Sequence, residues 1–489
     1  MADENLTTAT ATATATAVPS LPELPTEPPI SSHLPPPQNQ ETPYSPPPPP
    51  ASLTEEEQET PLSPPPTATT TTTLGDVIEQ PEKPTSNEPT TKTPEPMPSF
   101  KEESNQIKDL STSEQKSLED FKTLIQEAIT NQDFTFLQKS DQPISEISIW
   151  GIPILKDERT DVVLLKFLRA RDFKVKDSFT MLKDTLQWRK TFDIESLLEE
   201  DFGDDLEKVV FNHGFDKEGH PICYNVYGEF QDKDLYKKMF SDDEKRLRFL
   251  RWRIQFLERS IRNLDFSPGG VNTIFQVNDL KNSPGPAKRE LRLATGQALQ
   301  LLQDNYPEFV AKQVFINAPW WYLAFYTMIS PFMTQRTKSK FVFASTGRTP
   351  ETLFKYVSPE HVPIQYGGLS VDYCDCNPEF TIDDLASLVT VKPATKQTVE
   401  IIVNEKCIFV WELRVVGWEV SYSAEYVPNN ESHYAIIIQK AKKMTQTDEP
   451  VICHSFKISE LGKILLTIDN PTSKKKTLIY RFKVNPLAE

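Results

Sequence analysis

No arginine precedes Arg159 in this 489-residue chain, and no apolar run of signal-peptide length follows Met1, where Asp3 and Glu4 come almost at once. Organelle transit peptides are rich in arginine and poor in acids, and secretory signals need a continuous apolar core, so neither kind of targeting segment is expected. The G-x-S-x-G elbow of α/β hydrolases is missing, as is a glycine-rich loop ending in Lys-Ser/Thr. Both omissions argue against hydrolase and nucleotide-hydrolysing chemistry. The six histidines, His213, His220 and His361 among them, stand in no motif beside a nucleophile. The chain is therefore read as a binding protein and not an enzyme.

Cysteine is sparse. Five residues, Cys223, Cys374, Cys376, Cys407 and Cys453, are odd in number and mostly sit in apolar runs, which reads as reduced thiols in a cytosolic protein. Cys374 and Cys376 form C-x-C without a second pair, so no metal site is expected, and no cofactor. No run is long enough to span a bilayer, so membrane contact would be peripheral.

Charge is absent from one stretch in particular. Residues 313–335, QVFINAPWWYLAFYTMISPFMTQ, carry none, in a chain that is 25% charged. Between Pro319 and Pro331 this stretch reads as a helix of about 12 to 14 residues, about 20 Å long, too short for a hydrocarbon layer of roughly 30 Å. Trp320, Trp321, Phe325, Tyr326, Ile329 and Phe332 would cover every side of it, whereas a surface helix shows one apolar stripe. Two readings follow: a buried core helix, or a movable lid with one face over an apolar cavity and the other toward a membrane.

What the chain has in excess is proline and acid, unevenly placed. More than half of its 42 prolines lie before Phe100, with a Thr/Ala alternation and the run Pro46 to Pro50. About 14 acidic residues against two lysines there account for most of the net charge of −17. Residues 1–105 are read as a disordered acidic tail of polyproline character. An amphipathic helix and linker (106–148) follow, opened by the capping box Ser111-x-x-Glu114 with Leu118, Phe121, Ile125 and Ala128 at helical spacing. Residues 149–204 read as a helical lobe, with Asp161 and Asp177 as helix N-caps. Over 205–375, strands alternate with helices, one of them opened by Ser241-x-x-Glu244, which predicts an α/β sheet. Over 380–486, eight short strands separated by turn residues predict a β-sandwich or jelly roll.

Several segments carry a family likeness in order and spacing. These are FLRAR (167–171), WRK (188–190), DKEGHPI (216–222), NDLKN (278–282), NYPE (305–308), INAP (316–319) and VPIQYGG (362–368). Together they resemble the CRAL-TRIO lipid-transfer fold over about 220 residues, and the C-terminal part, ending in DNPTSKKKTLIYRFKV, resembles a GOLD domain. An acidic tail, CRAL-TRIO and GOLD in that order is similar to the plant patellin family. The resemblance implies an α/β CRAL-TRIO domain with an N-terminal helical lobe and an all-β GOLD domain. It also implies phosphoinositide or other hydrophobic-ligand binding, an anionic membrane as partner, and a role in vesicle trafficking, including cell-plate formation in cytokinesis. Protein partners are expected through the N-terminal tail and the GOLD domain, or the chain is a lipid-regulated scaffold; no nucleic-acid partner is expected.

Site residues follow from the same likeness. The stretch after INAP would be the gate of the lipid cavity, in agreement with its lack of charge, with Gly367 and Gly368 as its hinge or as a plain tight turn. In relatives that exchange phosphatidylinositol, the headgroup meets the second arginine of FLRAR, the basic residue after it and a lysine before the YGG-type turn. Here Arg171 is present, while Asp172 and Gln365 stand in place of the two cations. Arg171, Lys174 and Gln365 are the candidate headgroup residues, with Lys176 nearby. Strand parity assigns Tyr224, Tyr227 and Gln276 to the cavity, and Lys474, Lys475 and Lys476 are the candidate membrane-docking patch.

Overall fold

The structure, a computed structural model, describes residues 102–138, 144–284, 288–319, 322, 335–371 and 380–487. The proposed gate residues Trp320, Trp321, Phe325, Tyr326, Ile329 and Phe332 lie outside these, as do Cys374, Cys376 and nearly all of the proline-rich tail.

Three helices build the lobe, α1 (Thr112–Thr130), α2 (Arg159–Ala170) and α3 (Val175–Thr191), with a short antiparallel pair, β1 (Ser148–Ile149) and β2 (Ile152–Pro153), before α2. The capping box at Ser111 and Glu114 forms in both directions, and Leu118, Phe121, Ile125 and Ala128 are buried as their spacing predicts. The other expected caps are displaced. Helix α2 begins at Arg159, whose amide meets Asp157 Oδ1 at 3.0 Å, and Asp161 lies in its first turn, 2.7 Å from Lys122. Asp177 likewise sits inside the first turn of α3, which starts after Lys174. A side chain that finds a partner one turn into the helix is lost as a cap, a choice local sequence does not display.

After the short helices α4 (Ile194–Leu197) and α5 (Lys233–Phe240) comes α6 (Asp243–Arg262), capped by Asp242 onto the Lys245 amide, not by Ser241. The five-stranded sheet has the order β3 (Val210–Phe215), β4 (Pro221–Val226), β5 (Ile274–Asp279), β6 (Val310–Ile316) and β7 (Phe341–Phe343). β3 and β4 are antiparallel across the turn at 216–219, and β4 to β7 run parallel. Helices α6 and α7 (Arg289–Asn305) provide crossovers, while α8 (Gln335–Lys340) leads into β7 and α9 (Thr349–Leu353) follows it.

The eight C-terminal strands appear as eight. They run β8 (Ser387–Val391), β9 (Thr395–Val403), β10 (Cys407–Val416), β11 (Val420–Pro428), β12 (Ile436–Met444), β13 (Ile452–Ile458), β14 (Gly462–Asn470) and β15 (Lys476–Pro486). They form two four-stranded sheets, β13-β10-β15-β8 and β12-β11-β14-β9, around a core that includes Phe409, Trp411, Tyr422 and Leu466. Strict alternation of buried and partly exposed residues along β11 is what a sandwich requires of each strand.

Candidate functional site

Strand register divides the buried central sheet into two unlike faces. On one face Ile222, Tyr224, Phe275, Val277, Val314 and Ile316 join Leu353, Val357, Val362, Tyr366 and Leu369 in a closed apolar cluster. Tyr224 is stacked there between Phe211 at 5.2 Å and Tyr366 at 5.4 Å, so burial pushes its hydroxyl pKa up. The other face carries Cys223, Asn225, Gln276, Asn278 and Gln313, all buried. Pairing of Cys223 with Gln276, Asn225 with Asn278, and Gln276 with Gln313 puts these side chains side by side. A parallel sheet covered on both faces is normally a run of Val, Ile and Leu. This one has a polar floor.

Helix α6 lies over that floor. Asn212 Nδ2 donates to Ser260 Oγ at 2.9 Å, and Arg253 Nη2 donates to Asn225 Oδ1 at 3.3 Å. Asn225 Nδ2 in turn donates to Asn278 Oδ1 at 3.1 Å. The chain of donors ends open on both sides, because Arg253 Nη1 and Asn278 Nδ2 are buried and find no acceptor among the described residues. Among the described residues no carboxylate pairs with Arg253. Buried donors without acceptors cost about 1–3 kcal/mol each, so such a cluster is kept where something else repays it. Beside the floor stands an aromatic wall, Phe315, Tyr322, Phe341 and Phe343 with Leu280 and Tyr227.

Among the expected cavity residues, Gln276 belongs to the polar floor, and Tyr227 packs in the aromatic wall. Tyr224 does not join them: its neighbour across the register is Val277, and both point to the closed apolar face. Positions 224 and 227 differ by an odd number, so along an extended strand they cannot share a face. Nor does the expected headgroup set assemble. Arg171 follows α2 as its C-cap, with Nη1 donating to the carbonyl of the preceding residue, Ala170 O, at 3.0 Å, and Lys174 is exposed. Gln365 is exposed in a separate turn, and no hydrogen bond or ion pair among the described residues joins it to either. Arg253, Asn225 and Asn278 escaped sequence reading. The signal was there, in polar residues at alternate positions of the otherwise apolar strand IFQVND.

Gly367 and Gly368 form a tight turn required by close approach. A Cβ on Gly368 would lie 2.0 Å from Val362 O, and Gly367, at φ 101°, would press Pro350. From β10, Arg414 Nη1 donates to Ile364 O at 2.6 Å and to Gly368 O at 2.8 Å, which fastens the sandwich to this turn. A cavity of about 840 Å³ opens beside it at the C-terminal ends of β4 to β6, and another of about 990 Å³ lies between β3, the 363–371 loop and the sandwich. The three lysines do not form one patch. Lys474 and Lys475 are exposed, but Lys476 opens β15 with its side chain inward and donates to Gly417 O. No described helix is long and apolar enough to cross a membrane, and no cluster of metal-ligating side chains occurs among the described residues.

A helical lobe on a mostly parallel five-stranded sheet, fastened to an eight-stranded sandwich, defines a CRAL/TRIO protein with a C-terminal GOLD domain. Residues 117–184 match the family described as CRAL/TRIO, N-terminal domain, residues 206–368 match CRAL/TRIO domain, and residues 392–476 match Patellin-1-like, C-terminal GOLD domain. Patellin-3 of Arabidopsis thaliana is 66% identical over 409 residues, which covers 84% of this chain and 82% of that protein. Patellin-5 of the same plant is 64% identical over 416 residues, 85% of this chain and 60% of its own length. The phosphatidylinositol transfer protein SFH5 of Meyerozyma guilliermondii is 30% identical over 235 residues, 45% of this chain and 67% of that one. The chain belongs to the patellin family.

Proposed function

We propose that this protein is a carrier of a hydrophobic ligand with a hydrogen-bonding head, a phosphoinositide or a lipid of similar chemistry, acting peripherally at membranes. The observation that supports this reading is the polar floor with its two unused donors, Arg253 Nη1 and Asn278 Nδ2, next to an aromatic wall. Such a juxtaposition suits an amphiphile: oxygens of the head satisfy the donors, and acyl chains lie against Phe315, Phe341 and Phe343. Each CH₂ hidden from water contributes about 0.8 kcal/mol, so two chains need an apolar cover. The stretch 320–332 supplies one by composition, and its opening against a bilayer would release the ligand. The activity is binding, with no catalytic step.

Lys474 and Lys475 are exposed on the GOLD domain and give the anionic leaflet a place to dock. The cellular setting we propose is the cytoplasm and the membranes of vesicle traffic, the cell plate of dividing plant cells and the plasma membrane included. Organic extraction of the purified full chain, followed by mass spectrometry, tests the reading. A lipid recovered at close to one per protein is expected. Protein that extracts empty and moves no lipid between vesicles would leave only an adaptor, working through its tail and GOLD domain.

A further inference from the structure

The sandwich is open along one side. β12 and β13 are edge strands of its two sheets, and the β11–β12 pairing slips out of register twice between Tyr422 and Glu425. Bulges of this kind gather at sheet edges and beside binding sites. The cavity of about 990 Å³ between the two domains reaches into this opening. Phe211, Ile364 and Leu369 line it from one domain, and Met444, Val451 and Ile452 from the other. Four of the six, Phe211, Ile364, Val451 and Ile452, are only partly buried, so the cavity holds apolar surface that nothing in the chain covers.

The charges on this lining are already matched. Glu412 pairs with Arg481, and Lys442 Nζ lies 3.0 Å from Asp448 Oδ1. Among the described residues Lys442 is the only lysine or arginine on the lining, so a phosphate entering here would meet no spare cation. Unused hydrogen-bonding capacity lies at the inner end instead. Trp411 Nε1 donates to Tyr422 Oη at 3.0 Å, and the hydroxyl's own hydrogen has no acceptor among the described residues. His454 follows Ile452 by two positions on β13 and so shares its face. Its ring is 5.8 Å from that of Tyr422 and 5.1 Å from that of Trp411, and its Nε2 is buried without a partner among the described residues. Burial lowers the pKa of this imidazole, which is therefore neutral at pH 7.

We propose that this interdomain cavity is a second ligand site, separate from the polar floor, for an uncharged and largely apolar molecule of sterol size that carries one hydroxyl. Cavities of about 300–1,000 Å³ hold ligands of this class. The apolar body lies against Phe211, Ile364, Met444 and Ile452, and the hydroxyl accepts from Tyr422 Oη and bonds His454 Nε2. A neutral hydroxyl both donates and accepts, so it suits the imidazole in either tautomer. Because the walls come from both domains, an occupant bridges the sandwich to the 363–371 loop that Arg414 already fastens. The site does not depend on which cargo the polar floor holds.

The test uses the full chain and dehydroergosterol, a fluorescent sterol. Energy transfer from tryptophan reports binding, and Cys453, exposed on the cavity wall, reports where the sterol sits. At about ten times its dissociation constant the sterol should slow N-ethylmaleimide alkylation of Cys453 about tenfold, read by peptide mapping. Hydrogen exchange over 363–371 should slow as well. H454F should weaken binding about tenfold, a change of about 1.4 kcal/mol, and I452W, which fills the cavity, should abolish it. Exchange in β10 and β14 checks that both variants are folded. R253M/N278L, altered at the polar floor, should protect Cys453 as the parent does. No sterol binding, or binding that leaves Cys453 unprotected and both sandwich variants unaffected, would overturn the proposal. So would protection of Cys453 by phosphatidylinositol vesicles and not by the sterol, since the lining would then serve a charged head.

Discussion

Substituting Glu258→Gln should lower the unfolding free energy by about 3–5 kcal/mol, because it strands a buried arginine. Glu258 is fully buried on α6, where it pairs with Arg189 of α3, and Tyr306 Oη donates to it at 2.7 Å. Among the described residues Arg189 has one other acid within reach, Glu195 at 3.9 Å, and that carboxylate is largely exposed. The network bonds the helical lobe to the main domain, with Trp188 packed edge-on against the Tyr306 ring at 5.8 Å. Urea unfolding should show a lower midpoint at unchanged slope. Replacing the whole network, R189M/E258M/Y306F, should recover most of the loss, since it leaves neither a charge nor the Tyr306 hydroxyl without a partner. A single variant within about 1 kcal/mol of the parent would show the pair to be incidental.

The second large effect is expected in the GOLD domain. Glu412 and Arg481 face each other across the β10–β15 pairing, with Nε 2.6 Å from Oε1 and side chains 2% and 3% exposed. Arg481 also donates to Thr381 O and Asp384 O and lies over the Phe380 ring, so it pins the segment that enters the sandwich. Glu412→Gln leaves that guanidinium buried without its counter-charge, at a cost of about 3–5 kcal/mol. Hydrogen exchange should rise in β10, β15 and the 380–386 segment while the central sheet keeps its protection. Unchanged exchange in β10 would mean that the carbonyl bonds suffice to hold Arg481.

These two pairs also mark where sequence reading succeeded and where it stopped. WRK and NYPE were legible as family markers, and the structure shows why both are present: Arg189 and Tyr306 meet on Glu258. Nothing local in either motif reveals that partner, which lies 69 residues from Arg189 along the chain. Eight strands of the sandwich were legible because alternation with period two is imposed by a one-sided core, and turn residues interrupt it. Helix starts were less so. Asp161 and Asp177 have the chemistry of caps, but Asp161 is drawn to Lys122, a contact between helices that no single-helix pattern contains.

The site was legible in part. Strand parity assigns Tyr224, Tyr227 and Gln276 together, but the register separates them: Gln276 lies on the polar face of the sheet, Tyr224 on the apolar face, and Tyr227 lies past the end of β4, where period two no longer applies. The FLRAR likeness points to Arg171, whereas Arg169, two residues earlier, is the arginine that meets an acidic partner. An α-helix turns about 100° per residue, so a shift of two positions changes the facing direction by more than half a turn. Lys476 shows the same limit in a strand: next to two exposed lysines in sequence, it is the first residue of β15 and points inward.

One measurement tests most directly whether the polar floor holds the head of an amphiphile. Full-length protein and the variant R253M/N278L are purified side by side, their folding is checked by hydrogen exchange, and bound lipid is quantified by extraction and mass spectrometry. Close to one lipid per parent protein is expected, with a loss of at least about tenfold in the variant, the change that follows when about 1.4 kcal/mol or more of headgroup bonding is removed. Equal lipid occupancy in the two folded proteins would contradict it.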